Sequence, residues 1–192
     1  AIGLGNRGGG GSEYCDYPPE VMERRGRDPE WTVGGYSNPD VERILSKKPD
    51  IAFMGGIAGE NSAALIGGKV ALFVVKEADS IDGIYEHLEV LGEITGREKK
   101  AQALISDIGR RLSEIEEKTG EERRSIAMVI WYQRDPTQLF VVGGNTFQDD
   151  IIEIAGGRNV FSDVEGYPYY QSLEELIIRD PEVIICYTGG AM

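Results

Sequence analysis

The run SNPDVERILSKKPDIAF, residues 37–53, carries a helix start, a helix stop and a buried strand in 17 letters. Ser37 or Asn38 can cap a helix that has Pro39 in its first turn, because a side-chain oxygen can satisfy the free N–H groups there. Lys47, Lys48 and Pro49 close that helix, and Asp50 to Met54 reads as a short buried strand ended by Gly55-Gly56. Downstream, SLEELIIRDPEVIIC (172–186) repeats the same grammar. Ser172 caps Leu173 to Ile178, and Pro181 opens a strand to Cys186. Glu42 lies seven residues before Pro49, and Glu174 lies seven before Pro181. The duplication reads either as a common helix–strand join or, the expectation taken forward, as two related α/β lobes with matching helices.

Between the two copies, Val70 to Val75 is a second strand after a weaker helical stretch from Glu60 to Ile66. Strand–helix–strand spacing favours a parallel α/β unit. Ile81, Ile84, Leu88, Leu91 and Ile94 then mark an amphipathic helix capped by Asp79 or Ser80 and broken at Thr95-Gly96. A second helix from Arg97 to Lys118 would run about 33 Å, long enough to span a small domain and separate two lobes. Beyond it, Ser125 to Trp131 and Leu139 to Val142 read as strands, and Asp149 to Ala155 as a helix ending at Gly156-Gly157. The expected division is an N-terminal α/β lobe over 1–78, a helical linker over 79–120 and a C-terminal α/β lobe over 121–192. Both ends read as truncated, and GGGGS at 8–12 reads as a flexible linker or a substitution.

The chain has 192 residues, with 20 Lys+Arg against 33 Asp+Glu, a formal charge of −13. That balance argues against a surface built for nucleic-acid phosphates or a polybasic membrane anchor. No apolar run approaches a membrane span, and no export signal opens the chain. The single histidine, His87, has no second ligand at metal spacing, so no catalytic or metal centre is expected. The GLGNRG run at 3–8 lacks the preceding strand a dinucleotide turn needs. Cys15 and Cys186 form no Cys-x-x-Cys.

Aromatic residues are the stronger signal. Tyr14 and Tyr17 sit in a Pro-rich loop, Tyr36 precedes the first capped helix, and Trp131 and Tyr132 end a strand. Phe140 and Phe147 flank Gly143-Gly144, and Tyr167, Tyr169 and Tyr170 crowd a loop. Aromatics at strand ends beside glycine suit the wall of a cleft for a large, flat or amphipathic ligand. Glu42 and Glu174, placed alike in the two copies, would let a two-fold partner grip one lobe each through arginine pockets.

EYCDYPPEV, GGYSNPDVERILSKKPD, ITGREKKA, VVGGNTFQDDIIEIAGGRNVF and YQSLEELIIRDPEVII together resemble the class III substrate-binding proteins of ABC importers. The resemblance covers most of residues 13–190. It implies an α/β fold of two Rossmann-like lobes bridged by a long backbone helix, with a small hinge motion. It also implies a non-enzymatic protein of the periplasm or extracytoplasmic face, open to lipid anchoring and without a cofactor. The DYPPE loop is most similar to the cobalamin binders. By motif position, Tyr17 or Tyr14, Tyr36, Phe140 and Tyr169 or Tyr170 would line an interlobe cleft, with Trp131 beside them. Glu42 and Glu174 would dock on arginines of the membrane permease. The expected ligand is cobalamin or a related corrinoid, since Arg134 is the one obvious cation near the cleft. A ferric siderophore is the alternative. An enzyme or chelatase-like protein on the same scaffold is the alternative of another class. The GGGGS segment and the Ile66 to Ala71 stretch depart from the family pattern.

Overall fold

The computed structural model describes residues 7–35, 37–55, 70–132, 139–165 and 169–186. The chain divides into two compact units, residues 1–77 and 78–192.

In the first unit, helix α1 (Pro19–Arg27) is followed by a 3-10 turn (Pro29–Trp31), helix α2 (Val41–Ser46) and strands β1 (Ile51–Gly55) and β2 (Ala71–Val75). β1 and β2 pair in parallel, as the strand–helix–strand pattern predicts, with Phe53 opposite Phe73 and their rings edge to face at 5.8 Å. The stretch expected to form the intervening helix lies outside the described residues. α2 begins two or three residues later than expected from a cap at Asn38 or Ser37. Gly34 bridges Pro39, and the Gly35 N–H donates to Asn38 O, so residues 34–39 are spent in a turn. Asp40 is therefore the cap, accepting from the Arg43 N–H at 2.9 Å. The glycines at 8–11 are not a free linker throughout. Gly11 bridges Thr32, and a Cβ on Gly11 would fall 2.4 Å from the Trp31 ring, so the buried indole needs a glycine there.

The second unit opens with α3 (Ile81–Thr95) and α4 (Glu98–Glu116). Ser80 caps α3 through the Gly83 N–H, and Gly96, at φ 63°, reverses the chain into α4. At 19 residues α4 is about 28 Å long, a turn shorter at its ends than the pattern predicts. The helices cross where buried Gly92 meets Ala101, which has no exposed surface. Both pack against α5 (Phe147–Ile154), and Asp150 Oδ2 accepts from the Ile81 N–H at 2.7 Å.

The rest is a mixed sheet around β3 (Arg124–Tyr132), with β4 (Leu139–Val141), β5 (Gly157–Asn159), β6 (Tyr169–Gln171) and β7 (Val183–Cys186), and α6 (Leu173–Arg179) between the last two strands. Ile126 pairs with both Asn159 and Val183, so β5 and β7 flank β3 on opposite edges, each in parallel. β4 runs antiparallel to β3, and β6 antiparallel to β4. The core joins Ala127, Val129, Leu139, Val141, Val160, Phe161 and Leu176. Two segments differ from the sequence reading. Tyr169 and Tyr170, expected in a loop, belong to β6, and β5 was not foreseen. Three-residue strands carry too little periodicity to stand out, and pairing with longer neighbours fixes them.

Candidate functional site

Tyr14 and Tyr17 project from the loop before α1, 69% and 74% exposed. That exposure is unusual for two large rings in one short segment and leaves them accessible to a ligand. The loop is held from below: Glu13 N–H donates to Gly34 O at 3.0 Å and Cys15 N–H to Ser12 O at 3.1 Å. Arg25 of α1 reaches back to the carbonyls of Glu13 and Cys15, on either side of Tyr14. The sequence reading treated DYPPEV as loop and missed α1 with its arginines. Pro19 at the first helical position and Glu20 in the first turn were the available signal. Tyr36 lies outside the described residues, as does Arg134.

In the second unit, backbone register sorts the remaining aromatic positions. Trp131 of β3 pairs with Phe140 of β4, which pairs with Tyr170 of β6, so the three form one row across the sheet. Tyr169 is one row along, opposite Val141, which is fully buried and itself pairs with Val129. A bulge in β3 between Val129 and Trp131 sets the two rows apart. Register therefore separates Tyr170 from Tyr169, which sequence alone left equivalent.

Glu42 and Glu174 occupy the same place in two similar modules. Each is the second residue of a short helix, after an N-cap that is Asp40 in one and Ser172 in the other. Each is exposed and lies two residues before the buried helix anchor, Ile44 or Leu176. Lys48 (φ 48°) and Asp180 (φ 44°), six residues after each glutamate, are left-handed just before Pro49 and Pro181. Strands β1 and β7 then begin nine residues after each glutamate. A carboxylate in the first helical turn is favoured by the N-terminal end of the helix dipole.

Among the described residues, no cluster of three His, Cys, Asp or Glu is arranged for a metal, and no helix is long and apolar enough to cross a membrane. Cys15 and Cys186 are free. An open groove of about 420 Å³ between α3, α4 and α5 is edged by Asp82, Glu116, Glu153 and Arg123, and holds none of the expected site residues.

Residues 10–192 match the family described as periplasmic binding protein. An uncharacterized ABC transporter substrate-binding lipoprotein of Bacillus subtilis is 27% identical over 98% of this chain and 59% of the relative. A vitamin B12-binding protein of Photorhabdus laumondii is 27% identical over 99% of this chain and 66% of its own length. The chain thus spans roughly three-fifths to two-thirds of these curated relatives. Among solved structures, a possible iron-binding (periplasmic solute-binding) protein of Staphylococcus epidermidis aligns with a TM-score of 0.78 at 25% identity, covering 98% of this chain and 72% of that one. The fold is that of these binding proteins, and the family is one of binders rather than enzymes. With 183 of its residues inside the match, the chain belongs to the periplasmic binding protein family.

Proposed function

We propose that this chain acts as an extracytoplasmic substrate-binding protein that captures cobalamin or a related corrinoid and delivers it to an ABC importer. The observation that carries the ligand reading is the pair of exposed tyrosines, Tyr14 and Tyr17, on a loop braced from α1. Flat phenol faces suit the broad, amphipathic surface of a corrin ring, and Trp131, Phe140 and Tyr170 offer a second aromatic row. The relative named for vitamin B12 binding supports the same reading. Delivery rests on Glu42 and Glu174, whose matched placement suits a partner with two arginine pockets.

A ferric siderophore is the second reading, favoured by the iron-binding description of the staphylococcal structure. Polyanionic ferric catecholates call for free cations. Of the arginines that follow the tyrosine loop, Arg27 is paired with the Glu23 carboxylate, while Arg24 and Arg25 donate to the backbone carbonyls of Gly8, Glu13 and Cys15. The acidic balance of the chain, a formal charge of −13, favours the corrinoid over a polyanion. The test is calorimetric titration of cyanocobalamin into the Tyr14→Ala/Tyr17→Ala variant. Affinity should fall by about tenfold or more relative to wild type. Equal affinity would remove the tyrosine loop from the site.

A further inference from the structure

The helices that bear Glu42 and Glu174 have six and seven residues, too short to hold an orientation by their own hydrogen bonds. Each buries one apolar anchor, Ile44 or Leu176. A single anchor lets a short helix pivot, so a second tie must set where its glutamate points.

Each helix carries such a tie, and in both it is an arginine. Arg43 Nη1 donates to Thr32 O at 2.9 Å, while its Nε lies 3.4 Å from Asp40 and 3.9 Å from Glu30. Arg179 is more firmly set, its side chain 20% exposed. Its Nη1 donates to Val160 O at 2.5 Å, and the guanidinium grips Asp163 with two bonds of 2.5 and 3.0 Å. Nε donates to Glu175, the neighbour of Glu174, at 2.8 Å, and Cζ stacks 4.7 Å from the centre of the buried Phe161 ring. Hydrogen bonding from Arg179 also holds the Asp163 carboxyl below its ordinary range. Exposed ion pairs alone do little. These arginines also take backbone carbonyls from segments outside the helix–Pro–strand module, which makes each a strut between the module and the rest of its unit. They stand at different positions, one and five residues after the glutamate, so the repeat itself does not account for them.

We propose that Arg43 and Arg179 are positioning residues that fix the glutamate-bearing helices in the orientation the importer recognises. The proposal rests on the docking role given above to Glu42 and Glu174. It is tested by measuring the affinity of the chain for its cognate permease in lipid nanodiscs, with cyanocobalamin affinity and far-UV circular dichroism as controls. Arg179→Met should weaken permease binding by about tenfold, and Arg43→Met by less, with cyanocobalamin affinity unchanged. Arg179→Lys should recover part of the loss, because one donor of the fork survives. It also serves as the test if Arg179→Met does not fold. Hydrogen exchange at Leu173–Arg179 should quicken in Arg179→Met and less in Arg179→Lys, and exchange at Val41–Ser46 in Arg43→Met. The Glu42→Arg/Glu174→Arg variant runs in parallel. Wild-type permease affinity in that variant would overturn the docking reading itself. Impairment there, with wild-type affinity in the folded arginine variants, would overturn the positioning role alone.

Discussion

Glu182 and Ser125, 57 residues apart, cap each other where two parallel strands begin. Glu182 Oε2 accepts from the Ser125 N–H at 2.7 Å and its hydroxyl at 3.2 Å, and the Glu182 N–H donates to Ser125 Oγ at 3.0 Å. The acid after Pro181 thus sets the register of β7 against β3. The Ser125 backbone bond first, then its hydroxyl, holds the Glu182 carboxyl below the usual glutamate range. A depressed folded-state value means the stabilisation is present above the unfolded glutamate pKa and is lost as pH falls through the folded value. Glu182→Gln should therefore lower Tm at neutral pH, and the gap to wild type should close in acid. A gap constant from pH 7 into acid would contradict this.

Asn159 is a second such joint, 2% exposed. Its Nδ2 donates to Val142 O at 3.1 Å and to Asp149 at 2.7 Å, while its Oδ1 accepts from the Phe161 N–H at 3.0 Å. It fastens β5 to the turn ahead of α5. Asn159→Ala orphans these buried groups and should cost about 1–3 kcal/mol or more in urea unfolding. An unchanged midpoint would show that water replaces the amide without loss.

The α3–α4 crossing depends on the absence of a side chain at Gly92. A Cβ there would lie 2.8 Å from the Ala101 Cβ and 3.2 Å from the Glu98 backbone. Gly92→Ala should destabilise the second unit by about 1–3 kcal/mol, and adding Ala101→Gly should recover part of it. Thermal unfolding of the two variants checks this. Additive losses would mean the helices do not meet at this pair.

Much of this fold was legible because its punctuation is chemical. Ser80, Ser172, Gly96, Pro49 and Pro181 each mark a boundary through a hydrogen bond they make or cannot make. Asp40 was passed over as a cap because the 34–39 turn consumes the residues before it, and that turn exists only through the Gly34–Pro39 bridge. β5 and β6 were invisible for a related reason: three residues show no period, and their pairing partners lie far along the chain. The candidate site divides the same way. The equal spacing of Glu42 and Glu174 from their prolines is a pattern in the letters. The row joining Trp131, Phe140 and Tyr170 depends on register and on a bulge that no local propensity announces. The struts at Arg43 and Arg179 reach carbonyls, which every residue has, so their partners could not be read from side-chain identity.

The central claim is capture of a corrinoid, and tryptophan fluorescence tests it most directly. The chain has two tryptophans. Trp31 is buried against Gly11 in the first unit, beside the loop that carries Tyr14 and Tyr17. Cyanocobalamin, with correction for inner-filter absorption, should give saturable quenching at sub-micromolar concentration, and the quenched amplitude should shrink in Trp131→Phe. A ferric catecholate siderophore should give none. Saturation by the ferric siderophore with no response to cyanocobalamin would contradict the account.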